Sequence, residues 1–417
     1  QMSASDGQSH YKSLVLITIL LFSLLAFIYF YKAKDAFDDE YFTPQVVYDN
    51  ENLIAVRGAH RFFPIGDVHA DVNMLIRLLK RPGLIKRKTM SGREVTFDDL
   101  IKHPERFIKL KRGDTIAFAG DITDSHLKID FSELDEQSQL SEQGQSIVQS
   151  TMERQYPSLD ALKLIRAFKA VASKRGAVVT AVLGNHDDIY IQAFNDMAQR
   201  LASGADTTVE EARNIALSHT DFSNSFRASA ALAMEYLFGG HKSYKELLES
   251  ELSWVPEFFK DLKLLALIDN NVLTHACIPV IDDIDSLDSF DDLERALVLA
   301  NRNDITGNYL SDWINGSSLA QYRQKFYGLV RKLQSLPQNQ KVYLFVGHDS
   351  TLGRVSHRGE EGDVFLVDSG NTYFYRNLPD NGSIPGIMII TAEGKRGAYE
   401  LTDTGWRYRD LRDHQKP

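Results

Sequence analysis

Short apolar runs that end in a glycine and a polar residue recur along this chain, and they restrict it to folds built on a sheet with functional loops at one edge. Runs of β-rich character span Arg61–Ile65, Thr115–Ala119, Ala177–Leu183, Asn271–His275, Val342–Val346, Val364–Val367 and Ile387–Thr391. Between the early ones lie Asp71–Leu79 and Leu159–Ala172, where apolar residues return at helical spacing. This alternation predicts an α/β (α+β) sheet core.

Five of the runs lead into fragments rich in metal-binding side chains: GDVHAD (Gly66 to Asp71), GDITD (Gly120 to Asp124), GNHDD (Gly184 to Asp188), THA (Thr274 to Ala276) and GHD (Gly347 to Asp349). A loop at the carboxyl edge of a strand is where an α/β fold places its ligands, and glycine there lets the backbone turn sharply. Taken singly, each fragment reads equally as a turn, and His275 as a hydrogen-bonded core histidine. Taken together they supply Asp67, His69, Asp121, Asn185, His275 and His348, a mixture of carboxylate, amide and imidazole that suits two borderline or hard divalent ions.

The order GDxH, GDxxD, GNHD, HA, GH resembles that of the calcineurin-like metallophosphoesterases, and within them the phosphoprotein phosphatase branch with its Shewanella-like and diadenosine tetraphosphatase-like members. The match runs from about Arg61 to Asn371. The resemblance implies a β-sandwich flanked by helices and two divalent ions, manganese, iron or zinc. It implies that Asp67 and His69 hold the first ion, that Asp121 bridges both, and that Asn185, His275 and His348 complete the second. His186 would be the general acid and Asp124 its orienting carboxylate.

Elementary chemistry agrees with these roles. Two cations can lower the pKa of a shared water and neutralise an incoming phosphate, and a carboxylate has the two oxygens that a bridge needs. An imidazole titrates near neutrality and can protonate a leaving oxygen. The expected activity is therefore a phosphatase acting by in-line attack of a metal-bridging hydroxide on a phosphoprotein or a small phosphorylated compound. The family's GDxxDRG continues here as GDITDSH, with Ser125 in the place of the arginine, so the resemblance does not choose between those substrates. Phosphoanhydride or phosphodiester hydrolysis is the alternative within enzymes. A non-catalytic membrane scaffold is the alternative outside them.

Residues 14–31, LVLITILLFSLLAFIYFY, carry no charge and are long enough to span a bilayer, with Lys12 on one side and Lys32 and Lys34 on the other. They read as a transmembrane anchor; no small-residue cleavage pattern follows them. The expected organisation is a tail (1–13), the anchor (14–31), a juxtamembrane linker (32–50) and a metallophosphoesterase domain (51–417). Two insertions are expected in that domain, a polar one at about 128–156 and a helical, cap-like one at about 191–259. The catalytic domain is expected on the exported side, periplasmic or lumenal. The net charge of −10 with scattered lysines and arginines disfavours nucleic acid as a partner. Cys277 is the only cysteine, which excludes an intramolecular disulfide and a thiolate-rich zinc site.

Overall fold

The computed structural model describes residues 43–50, 52–123, 158–219, 224–275, 343–347, 356–358, 364–367, 384–391, 393, 395–402 and 404–411. The anchor segment 14–31, the polar insertion 128–156, Asp124 and His348 lie outside the described residues. Among those described, no helix is long and apolar enough to cross a membrane.

Strands β1 (Gln45–Asp49), β2 (Leu53–Arg57), β3 (Arg61–Ile65), β4 (Asp114–Phe118), β5 (Val178–Ala181), β6 (Leu265–Ile268), β7 (Asn271–Thr274), β8 (Tyr343–Val346), β9 (Ser356–Arg358), β10 (Val364–Leu366), β11 (Gly386–Thr391), β12 (Arg396–Thr402) and β13 (Gly405–Asp410) form two mixed sheets. One sheet has the order β1-β2-β6-β7-β8-β10-β9, the other β13-β12-β11-β3-β4-β5. The seven runs expected from the sequence lie at β3, β4, β5, β7, β8, β10 and β11.

Side-chain alternation explains how the sheets are covered. In β3 and the run through β4, Phe62, Ala117 and Ala119 enter a buried layer with Val56 and Ile268 of the other sheet, so the two sheets share one core. Their neighbours Phe63, Ile65, Ile116 and Phe118 point the other way, into a second core shared with helices. A period of two thus gives β3 and β4 two apolar faces each. Pro64 fits inside β3 because antiparallel pairing with β11 ends at Phe62, so no ladder bond needs its missing N–H.

Register sets where the loops emerge. Arg61 and Asp114 face each other at the start of β3 and β4, and the guanidinium donates two hydrogen bonds of 2.7 Å to the carboxylate. The parallel pairing then runs to Ile65 opposite Phe118, and β4 pairs β5 as far as Phe118 opposite Ala181. Three loops therefore leave the same edge side by side, carrying Asp67, Asp121 and Asn185.

The helix Val72–Lys80 begins where Asp71 accepts the Met74 N–H at 2.9 Å, an N-cap that ends the first loop cleanly. Segment 191–259 is helical as expected, through Asn185–Ala202, Val209–Ser218, Asn224–Leu237, Tyr244–Leu248 and Trp254–Lys260. Its Phe194, Met197, Leu237 and Phe259 share a buried cluster with Phe168 of the helix Ser158–Arg175 and with Phe63 of β3. The segment is thus part of the helical layer on the sheet, and its first helix starts six residues earlier than the expected insertion, inside the GNHDD motif. Gln45–Asp49, read from sequence as linker, forms the edge strand β1 antiparallel to β2, with all five side chains exposed.

Candidate metal centre

The loops after β3 and β4 are tied through their backbones. The Val68 and His69 N–H groups donate to the Asp121 carbonyl at 3.1 and 2.7 Å, and Ala70 N–H donates to the Ile122 carbonyl at 2.8 Å. These bonds hold three non-glycine residues in the left-handed region, His69 at φ 43°, Ala70 at φ 57° and Asp121 at φ 45°. Such conformations are unfavourable for L-residues and persist where surrounding contacts enforce them. Here they aim His69 and Asp121 at the same point.

Asp67, His69 and Asp121 each offer a ligand atom within 4.8 Å of the others, all buried. His69 Nε2 lies 3.9 Å from Asp67 Oδ2 and 3.8 Å from Asp121 Oδ2. The β5 loop adds Asn185 and His186 at the start of a long helix, and its His186 N–H donates to Asp121 Oδ1 at 2.9 Å. The His186 ring meets the His69 ring edge-on, centroids 5.4 Å apart, and its Nε2 lies 3.9 Å from Asp121 Oδ2.

The second sheet contributes His275, one residue past β7. Its Nδ1 lies 2.7 Å from the Ala119 carbonyl, the partner expected to take the Nδ1 proton. Nε2 then points at Asn185 Oδ1, 2.8 Å away, and at Asp121 Oδ2, 3.3 Å away. Three acceptor-type atoms thus converge when this imidazole is neutral, an arrangement that a cation satisfies. A metal-ligating histidine ordinarily gives its other ring N–H to a carbonyl or carboxylate, as His275 does here. A Cβ on Gly347 would come within 2.6 Å of Asp67 Oδ1, so the residue preceding His348 abuts the same cluster.

Six of the eight residues singled out from sequence therefore meet in one buried place: Asp67, His69, Asp121, Asn185, His186 and His275. The donor set of Asp67, His69 and Asp121 fits a divalent ion.

The electrostatics follow from burial and crowding. Burial by itself would push the Asp121 carboxyl up, but the charges of His275, His186 and His69 and a hydrogen bond to His275 hold it well below the usual carboxylate range. Burial would lower the His275 imidazole, and the Asp121 charge beside it raises it instead. Asp187 is pushed up to about 7 by burial and by the Asp121 charge, with the Ile122 and Gly184 amides opposing the rise.

No family model matches the chain, and no curated protein does. Solved structures similar to it include a cold-active protein tyrosine phosphatase at 14% identity and TM-score 0.42, covering 86% of this chain and 81% of that one. Another is a cold-active protein-tyrosine phosphatase of a psychrophilic Shewanella species, at 14% identity and TM-score 0.40, covering 88% of this chain and 83% of that one.

Asp187 is the site residue that the sequence reading passed over. It is fully buried, and its carboxylate accepts hydrogen bonds from Ile122 N–H at 3.0 Å, the Thr123 hydroxyl at 3.2 Å and Gly184 N–H at 3.2 Å. The available signal was its place three residues after Gly184 at a helix start, where an acidic side chain reaches back to the N-cap amide.

Proposed function

We propose that the chain is a metal-dependent phosphoesterase of the calcineurin-like type that hydrolyses phosphate monoesters, on a phosphoprotein or a small phosphorylated compound. The reading rests on the meeting of Asp67, His69, Asp121, Asn185, His186 and His275, from loops of both sheets, at one buried point. In this reading Asp67, His69 and Asp121 hold one divalent ion, and Asn185 and His275 hold a second together with His348, with Asp121 shared. Bound ions supply the positive charge that activates water and neutralises the phosphate.

The protein's own residues do the rest. The Ala119 carbonyl fixes the His275 ring, and the His186 N–H fixes Asp121, so the ligand atoms are set before substrate arrives. Burial of these side chains keeps bulk water from competing for them. In this reading the His186 imidazole donates a proton to the leaving oxygen as water adds to phosphorus and the P–O bond breaks. Asp124 is proposed to orient that ring.

The His186→Ala variant separates proton delivery from metal binding. It should keep its metal, because Asn185 and not His186 is the proposed ligand, while turnover on an alkyl phosphate falls by about a hundredfold to ten-thousandfold. An aryl phosphate with an acidic phenol needs the proton less and should lose far less. Equal losses on both substrates in single-turnover kinetics, or loss of metal, would remove His186 from the acid role.

We further propose that residues 14–31 anchor this unit to a membrane with the catalytic domain exported. In sealed right-side-out vesicles, protease should digest the large domain without permeabilisation. Protection there, with digestion only after permeabilisation, would place the domain on the cytoplasmic side.

A further inference from the structure

The β3 and β4 loops are joined by backbone hydrogen bonds, whereas the β4 and β5 loops are joined through two carboxylates that reach in opposite directions. Asp121, on the β4 loop, accepts the His186 N–H of the β5 loop at 2.9 Å. Asp187, on the β5 side, reaches back to the β4 loop, where one oxygen accepts Ile122 N–H at 3.0 Å and the Thr123 hydroxyl at 3.2 Å. Its other oxygen accepts the N–H of Gly184 at 3.2 Å. Asp187 and Thr123 are fully buried, so these bonds do not compete with solvent.

We propose that Asp187 is a positioning residue that clamps the loop carrying Asp121 to the loop carrying Asn185 and His186, and so sets the spacing of the ligands around the metal. The inference rests on the phosphoesterase reading for its metal but on the hydrogen bonds alone for the clamp. A buried carboxylate suits the task because its two oxygens accept donors from two loops at once. Asparagine has the same shape, but its amide nitrogen cannot accept the Gly184 N–H, so one leg of the clamp fails. Glutamate at this third helical position can still reach the N-cap amide.

The test compares full-length wild type, Asp187→Asn and Asp187→Glu by Mn(II) titration, by amide hydrogen exchange and by thermal unfolding without metal. Asp187→Asn should bind Mn(II) about tenfold to a hundredfold more weakly, the effect typical of groups that support metal ligands. The Gly184 amide should exchange faster, and the metal-free unfolding midpoint should stay near the wild-type value, because removing a buried charge offsets the lost hydrogen bond. Asp187→Glu should recover most of the affinity. A generally destabilised protein would instead show a lowered midpoint with exchange raised throughout, and that pattern in both variants would overturn the proposal. Unchanged Mn(II) affinity in a folded Asp187→Asn protein would also overturn it. If wild type binds no Mn(II), the phosphoesterase reading fails, and the Gly184 amide alone decides the clamp: faster exchange in Asp187→Asn upholds it and unchanged exchange rejects it.

Discussion

Asp121→Asn should reduce phosphatase turnover by about a thousandfold or more while leaving the protein folded. Asparagine keeps the oxygen that accepts the His186 N–H at 2.9 Å, so the connection between the β4 and β5 loops survives. It replaces the other oxygen, 3.3 Å from His275 Nε2 and 3.8 Å from His69 Nε2, with a neutral amide. The site loses a carboxylate that faces His69, His186 and His275 together, and with it charge that would draw two cations close. The metal-free fold should lose some stability, because the charge that His275, His186 and His69 hold ionised is gone, but the hydrogen bond between the two loops keeps the protein folded. The charges of His275, His186 and His69 hold the Asp121 carboxyl well below the usual carboxylate range. Protonation of Asp121 would mimic the mutant, and only a pH well below the usual carboxylate range would bring it about. Steady-state turnover in metal-replete buffer measures the effect, and a variant within tenfold of wild type would assign the bridge elsewhere.

Gly184→Ala should disable the site from the backbone side. A Cβ at position 184 would be driven into the Asp121 backbone nitrogen and Oδ1 and would lie 2.9 Å from its Cα. Backbone cannot move aside as the end of a flexible side chain can, so one of the two loops has to shift. Overpacking of this kind costs about 1–3 kcal/mol, and here the displaced atoms belong to the proposed bridging ligand. The expected result is a lower thermal midpoint together with turnover reduced by at least about a hundredfold, since misplacement by about 1 Å costs that much. Unaltered midpoint and turnover would mean that the loops have more room than this close approach implies.

The parts of the fold legible in the sequence are those whose side chains serve one purpose. Strand β3 reads from Arg61 to Ile65 because it is apolar on two faces and closes on Gly66, and Asp71 marks the following helix because a capping aspartate precedes an apolar period. Strand β1 was not legible, since all five of its side chains are exposed and no burial pattern sets it apart from a linker. The β12–β13 hairpin was hidden for a related reason. Its strands put Tyr399, Leu401 and Trp406 against the helical core, but the other face carries Glu400 ion-paired with Arg407 and Arg409, so no continuous apolar run marks them. The role of segment 191–259 escaped because helical period shows that a helix has an apolar face but not what covers it.

At the site, the motifs bring out the donors but not the scaffold that holds them. Asp67, His69, Asp121 and Asn185 are visible because metal-binding residue types follow glycines at strand ends, and His275 because it ends an apolar run. Asp187 is equally buried and stands in the same GNHDD fragment, yet its partners are the Ile122 and Gly184 amides and the Thr123 hydroxyl, and the sequence marks it only as an acidic residue three after Gly184. The carbonyl of Ala119, which fixes the His275 ring, is invisible because a backbone acceptor leaves no residue-type signature.

The most direct measurement is the metal content of the purified full-length protein, taken beside its activity on p-nitrophenyl phosphate. Elemental analysis should find about two divalent ions per chain, as a site with a shared carboxylate would take. Chelation should remove both ions and the activity together, and added manganese should restore both. Full turnover in protein stripped of metal, or stoichiometric metal with no hydrolysis of any phosphate ester, would contradict the assignment of this buried cluster as a phosphoesterase centre.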